Sequence, residues 1–448
     1  MRIRLLQVFF VFALLFSSQT SIAGGPFVVD MVNNTGVALR WENDTFEWWV
    51  DAGRLTNSVD NGEATQWIKE ELDKWTGIEL ENADRIKQPT TTIKHTFRGT
   101  VGEDIDGTNW GNYMSMSADP GRSVIAFDED GSIIEALVGA GNSQNIVGLT
   151  LPIADASGTH IIRGWSVFNG QILSSGILAP TPDVANELFR ATVLHELGHL
   201  LNLDHSQVNF DIAQNCVRNG PCEGGNDIPT MYPELLTTMQ GFLSRDDMIT
   251  LSWIYPTQEF EQDFCTITGE IFDADGRPLK GVNVLAHQVG VMARIDARSF
   301  VSGVLYPGCD GDSRYHLRGI VPGKQYQVTY EPIGSQFVGA SDFEPLGDDS
   351  PRGFDAGTIE SPSGDTTVKC DQGGQTIQMA SVTIDVSNPC VTVDGDDEDE
   401  VEAKAGCAMM SGDGLKKTGL LAAALLLLAA AALALRRHFK SCKVRGST

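Results

Sequence analysis

The segment His195-Glu196-Leu197-Gly198-His199-Leu200-Leu201-Asn202-Leu203-Asp204-His205 constrains this chain more than any other. Histidines four apart share one face of an α-helix, so His195 and His199 can offer ring nitrogens to a single metal ion. Glu196, one residue round the helix, can reach a water held on that ion and take its proton. His205 stands six residues beyond His199, which on a straight helix would carry it roughly 9 Å further along the axis. The three imidazoles meet only if the helix ends and the chain turns between them. Asn202 sits where that turn belongs, and asparagine is the commonest non-glycine residue to accept left-handed backbone angles.

On these residues the chain resembles the metzincin zinc peptidases, whose signature H-E-x-x-H-x-x-G-x-x-H is followed by a methionine turn. Asn202 replaces the glycine of that pattern. Ser206 after the third histidine, Met231-Tyr232-Pro233 twenty-six residues later, and Leu243-Ser244-Arg245-Asp246-Asp247 running to Tyr255 are similar, in order, to parts of the matrixin branch. The resemblance implies Zn2+ held by His195, His199 and His205, with a methionine turn formed by Met231, Tyr232 and Pro233 beneath them. It implies hydrolysis of a peptide or protein substrate by a metal-activated water, with Glu196 as base and then proton donor to the leaving amine. It also implies a sheet edge that pairs with extended substrate, for which 148–153 is the candidate, and a pocket wall at 233–235 for the side chain after the cut. No cysteine precedes Cys216, so the thiol that blocks the zinc of latent matrixin precursors is absent. Two other functions are compatible with these residues: a catalytically inactive surface-binding or adhesion protein on a metzincin scaffold, or a zinc hydrolase of a non-peptide substrate. The intact Glu196 and histidines weigh against the first, and the motif by itself does not specify an amide. His95, His160, His287, His316 and His438 lack metal-ligand spacing to one another.

The ends of the chain place this chemistry outside a membrane. Met1-Arg2-Ile3-Arg4, an apolar stretch to Phe16 and the small residues before Gly24 have the three regions of a secretory signal peptide, 1–23, cut after Ala23. A retained anchor is the alternative, but the apolar run is short for one. Residues 418–435 hold sixteen Leu or Ala in eighteen, enough to span roughly 27 Å as a transmembrane helix. The basic tail 436–448 then lies in the cytoplasm by the positive-inside rule. Seven acidic residues between Asp394 and Glu402 make 393–417 read as an acidic linker. Gly406-Cys407, the apolar span and the basic end together resemble bacterial three-part sorting signals, which implies a processing enzyme at the tail and lipid modification or a new terminus at Cys407. A simple single-pass anchor is the other reading. The expectation is an exported bacterial protein, held at the cell surface or released. A formal charge of -27 disfavours nucleic acid as a partner.

With 448 residues, 42% of them hydrophobic, the chain has room for two or three cores. The expected class is α+β: a catalytic unit at 24–260 with a mixed twisted sheet and helices, then a β-sandwich at 261–392. Residues 61–75 predict an amphipathic helix with Ala64, Trp67, Ile68, Leu72 and Trp75 on its apolar face and Gly77 as its stop. Residues 123–127, 147–153 and 161–168 predict strands. Thr181-Pro182-Asp183 predicts the start of the histidine-bearing helix, with a capping hydroxyl and proline in the first turn. From Cys265 onward, alternation at Ile267, Gly269 and Ile271, then at Val282, Val284 and Ala286, predicts short strands joined by turns. This part resembles the regulatory-like domains that follow carboxypeptidases.

Cys216 and Cys222 predict a local disulfide, and Cys265, Cys309, Cys370 and Cys390 two more whose pairing the sequence leaves open. Asp104-Ile105-Asp106-Gly107 and Asp128-Glu129-Asp130-Gly131 offer oxygens and turn glycines that suit Ca2+, yet neither completes an EF-hand loop. Calcium at Asp104, Asp106, Asp128 and Asp130 and plain solvated turns are both open readings.

Overall fold

The computed structural model describes residues 24–387 except 31, 34, 116–121, 220–226, 292–295, 307–311 and 334–350, together with 406–410. The expected signal peptide 1–23, the apolar span 418–435, the basic tail 436–448 and Cys222, Cys309 and Cys390 lie outside the described residues. Among the described residues no helix is long and apolar enough to cross a membrane.

The chain is α+β, and its first unit is built around a helix and a mixed sheet. Helix α1 (Asn61–Thr76) begins where the Asp60 carboxylate accepts the Glu63 N–H at 2.9 Å and ends at Gly77. Its predicted apolar face is buried in full. Strands β1 (Thr45–Val50), β2 (Lys94–Thr100), β3 (Ser123–Asp128), β4 (Ile146–Ala154) and β5 (Ile161–Asn169) pair in the order β2-β1-β3-β5-β4. All neighbours are parallel except β4, which runs antiparallel to β5. β3 leads through the Asp128-Gly131 turn into the short helix α2 (Ser132–Val138). Helix α3 (Pro182–Leu200) carries the first two histidines and crosses the sheet between α1 and β4. Thr181 holds the N-cap position, but its hydroxyl makes no capping bond, so the start rests on Pro182 and Asp183 in the first turn. Two tryptophans fix the height of α3: Trp75 Nε1 donates to the Leu194 carbonyl and Trp41 Nε1 to that of Leu200, each at 2.8 Å. Helix α4 (Phe210–Asn219), carrying the disulfide-bonded Cys216, and helix α5 (Arg245–Ile254) come next, with the two-residue strand β6 (Glu234–Leu235) between them.

The hydrophobic core changes at Phe264/Cys265, the first belonging to the helical unit and the second to an all-β unit. Strands β7 (Cys265–Asp273), β8 (Val282–Gln288), β9 (Ala297–Val301), β10 (Arg314–Ile320), β11 (Tyr326–Pro332), β12 (Gly357–Ile359), β13 (Thr376–Gln378) and β14 (Val382–Ile384) form two four-stranded sheets. One runs β9-β8-β11-β12; the other runs β10-β7-β13, with β14 also on β7. Their inner faces share a core that includes Ile267, Val284, Phe300, Tyr315 and Val328. Of the predicted disulfide partners Cys265 pairs with Cys370, which ties the start of this unit to its last third.

One element departs from the sequence reading. Residues 406–410, expected to belong to the acidic linker, form strand β15 (Gly406–Met410) in the first sheet. The acidic run Asp394–Glu402 ends before 406, and Gly-Cys-Ala-Met-Met carries no charge. β15 fills the position between β4 and β6, antiparallel to the first and parallel to the second. Of the predicted open edge at 148–153, residues 148–150 are therefore paired on both sides, by β5 and by β15.

Candidate metal centre

His195, Glu196 and His199 lie on the last turns of α3, and all three are buried. The helix stops at Leu200, and Asn202 takes φ +78°, the left-handed turn that the six-residue spacing demanded. The asparagine does more than tolerate this angle. Its Oδ1 accepts the Val28 N–H at 2.6 Å, and its Nδ2 donates to the Val28 and Leu39 carbonyls at 2.9 and 2.7 Å. A glycine would make the turn but none of these bonds, so the side chain ties the turn to the first residues of the unit. Those residues close over the same loop: the Gly24 N–H donates to the His205 carbonyl at 2.5 Å, and Phe27 packs edge-on to the His199 ring.

The turn brings His205 back onto the helix. Its Nε2 lies 3.2 Å from His195 Nε2 and 3.1 Å from His199 Nε2. Four ligands at tetrahedral angles and metal–nitrogen bonds of 2.0–2.1 Å would stand roughly 3.3 Å apart. Tautomers agree with this. His195 Nδ1 faces the Thr230 carbonyl at 2.7 Å and His199 Nδ1 the Leu203 carbonyl at 2.8 Å. A carbonyl only accepts, so both Nδ1 atoms carry the proton and both Nε2 lone pairs point inward. Burial favours the neutral, ligating form of each ring: it pushes His195 down to about 4, and it lowers His199 and His205, which also repel the neighbouring rings when charged. The three histidines can bind a metal ion, and among the described residues they alone form a group of three or more His, Cys, Asp or Glu ligands within 4.8 Å of one another.

Met231 and Tyr232 are buried beside this centre, with Pro233 next in the chain. Gly198 explains how close the methionine comes. A Cβ on residue 198 would stand 2.4 Å from Met231 Sδ and 2.8 Å from Trp75 Cζ2, so only glycine lets α3 sit on both. The Met231 carbonyl accepts the Ser206 N–H at 2.8 Å, joining the two ends of the ligand loop. Sequence reasoning missed the residue that holds this turn. Asp247, buried at the N-terminus of α5, accepts the N–H groups of Thr230 at 2.9 Å, Met231 at 3.2 Å and Ser244 at 2.8 Å. Its neighbour Asp246 accepts the Ser206 hydroxyl at 2.5 Å and the Ser299 N–H of β9 at 2.8 Å. The acidic pair after a helix-start serine was the available signal, but it reads equally well as ordinary first-turn charge.

Glu196 lies under β4. A Cβ on Gly148 would meet Glu196 Cγ at 2.7 Å and Oε1 at 3.2 Å, so the strand backbone rests on the carboxylate without a side chain between. Beside His195 a pocket opens, lined by Ala191, Thr192, Thr230, Tyr232, Leu235 and Gln240.

The acidic patches are brought together differently. Asp128 accepts the Ile133 and Ile134 N–H groups at 3.1 and 2.9 Å and caps α2, while Asp130 accepts that of Ser132 at 3.0 Å. Asp106 closes its own turn on Thr108 and Asn109. Both patches face the buried Asp51, whose carboxyl is pushed up to about 8 by burial and by the charges of Asp104 and Asp128. The native state thus holds the Asp51 proton above the ordinary range near pH 4. Its contribution to stability is full in acid and is lost as pH rises towards 8. Asp51→Asn, which cannot ionise, should melt progressively higher than wild type as the buffer moves from pH 5 to pH 9. A melting-temperature difference that stays constant across that range would refute the assignment.

No family model matches the chain, and no curated protein does. Among solved structures, the chain aligns with the dioxygenase domain of a dioxygenase and carbohydrate-binding protein fusion from the cellulolytic bacterium Streptomyces sp. SirexAA-E. That alignment covers 29% of this chain and 85% of the other at 15% identity, with a TM-score of 0.19, which carries no argument about fold or function.

Proposed function

We propose that the chain is a zinc-dependent endopeptidase of metzincin type, close to the matrixin branch, acting outside the cell. The observation that carries this reading is the convergence of His195 Nε2 and His199 Nε2 on His205 Nε2 at 3.2 and 3.1 Å, with Glu196 next to the first ligand and directly beneath a sheet strand. Neutral imidazoles in this number leave a fourth position open, the arrangement of catalytic rather than structural zinc sites. When bound, zinc supplies the Lewis acidity that acidifies water and polarises a carbonyl.

The chain's own residues do the rest. His195, His199 and His205 hold the ion, and the Thr230 and Leu203 carbonyls fix the first two rings in their ligating tautomer. Glu196 takes the proton of the attacking water and passes it to the amine of the departing half. Where β15 leaves its place, β4 offers backbone hydrogen bonds to an extended peptide whatever its sequence. Tyr232 and Leu235, beside His195, would form part of the wall for the side chain that follows the cut.

The test is cleavage of a peptide library by residues 24–392. Cleavage should stop with a zinc chelator and return when zinc is restored. A folded protein that cuts nothing, or whose cutting ignores the chelator, would overturn the reading.

A further inference from the structure

The substrate strand that such a site requires is already present in this chain. β15 occupies the place between β4 and β6, pairing Gly406 with Thr150, Cys407 with Leu149, Ala408 with Gly148 and Met409 with Ile146. It then continues on β6, with Met409 opposite Glu234 and Met410 opposite Leu235. β4 and β6 do not pair with each other; the interval between them is one strand wide and one strand fills it. Gly148, the partner of Ala408, is the residue whose α-carbon rests on Glu196. The β15 backbone at Ala408 therefore runs about one strand spacing, ~4.8 Å, from the residue that covers the base. It also runs close along α3, which bears the histidines. Met409 is the register position shared by β4 and β6, and Leu235 of β6 lines the pocket beside His195.

We propose that residues 406–410 are an intramolecular substrate, which the peptidase hydrolyses between Cys407 and Met410. The inference rests on the peptidase reading above. One water is consumed: its oxygen bonds to the carbonyl carbon of the cut amide, the C–N bond breaks, and Glu196 carries a water proton to the departing nitrogen. The products are a chain that ends in a carboxylate and a fragment that begins with a new amine. That fragment carries the Leu- and Ala-rich span 418–435 and the basic tail, so the cut separates both folded units from them. Nineteen residue steps join Ser387 to Gly406, a reach of up to roughly 60 Å. Because the segment belongs to the same chain, its encounter with the site is unimolecular. Until it is cut, β15 excludes other peptides from the same strand position.

The experiment uses the full chain purified in detergent with zinc, alongside full-length Glu196→Ala, both followed by intact mass and by sequencing of new amino termini. Wild type should release a fragment that begins at residue 408, 409 or 410, at a rate unchanged by tenfold dilution, and Glu196→Ala should stay whole. A cut at the same place in Glu196→Ala would overturn the proposal, because another enzyme would then be responsible. So would an intact wild-type tail when residues 24–392 cut a peptide library, an outcome that leaves the peptidase reading standing. Failure of both tail and library cleavage would remove that reading and this inference together. A second measurement needs no catalysis. In metal-free Glu196→Ala, the amides of 146–150 should exchange with solvent deuterium more slowly in the full chain than in a chain ending at residue 405. Equal exchange in the two would show that β15 does not occupy the strand position.

Discussion

Glu196→Ala should lower kcat on a peptide substrate by roughly 10²–10⁴-fold, the range that a positioned acid–base group supplies, while the protein still retains one equivalent of zinc. The separation of the two effects comes from the geometry. The three histidines take their orientation from backbone carbonyls at Thr230 and Leu203 and from the Asn202 turn, none of which involves the Glu196 carboxylate. Glu196→Gln is the companion variant, because it keeps the volume beneath Gly148 and changes only proton affinity. Metal content by mass spectrometry and turnover on one peptide are the two readouts. Turnover within tenfold of wild type would sink the role given to Glu196, and loss of zinc would show that the carboxylate supports the metal instead.

Asp247→Ala should produce a large loss of stability. The change leaves the N–H groups of Thr230, Met231 and Ser244 without their acceptor. Buried donors left unpaired cost about 1–3 kcal/mol each, so a total on the order of 4 kcal/mol and a fall in Tm of roughly 10 °C are expected. The damage should reach the metal, since Thr230 supplies the carbonyl that orients His195. Partners of this kind change metal affinity by about 10–100-fold when lost. Asp247→Asn retains one acceptor oxygen and should fall between the two in both respects. Calorimetry with a zinc-competition titration decides the matter: an unchanged Tm, or a lowered Tm with wild-type zinc affinity, would refute the link between this carboxylate and the metal centre.

The three histidines that can bind a metal ion were legible because their geometry is local. Histidines four apart fix a shared helix face, and a third ligand six residues on forces a turn, so the left-handed Asn202 could be foreseen from spacing alone. The apolar face of α1 was legible from a period within one segment, and the strands β3, β4 and β5 from local runs of β-branched and aromatic residues bounded by Gly, Asp and Pro. The supports of the site were not. Asp247 reaches back seventeen residues to Thr230, and Asn202 reaches across to Val28 and Leu39; no periodicity announces such partners. β15 escaped for a further reason. Its five residues are too few to show alternation, and they sit just after an acidic run that dominates the composition of the stretch.

Asp246 has a bearing on how this protein can be rearranged. Its two carboxylate oxygens join the serine after the last metal ligand to the backbone of β9 in the other unit. Gly24, which reaches the His205 carbonyl, is equally committed: a Cβ there would stand 2.2 Å from Ser299 Oγ. Domain shuffling treats a boundary such as Phe264/Cys265 as a seam along which genes can be cut and respliced. Here the seam runs through the support of the third ligand, so a chimera with a foreign partner domain inherits a buried carboxylate short of one donor. The two units would have to be exchanged between relatives together, as a single heritable block.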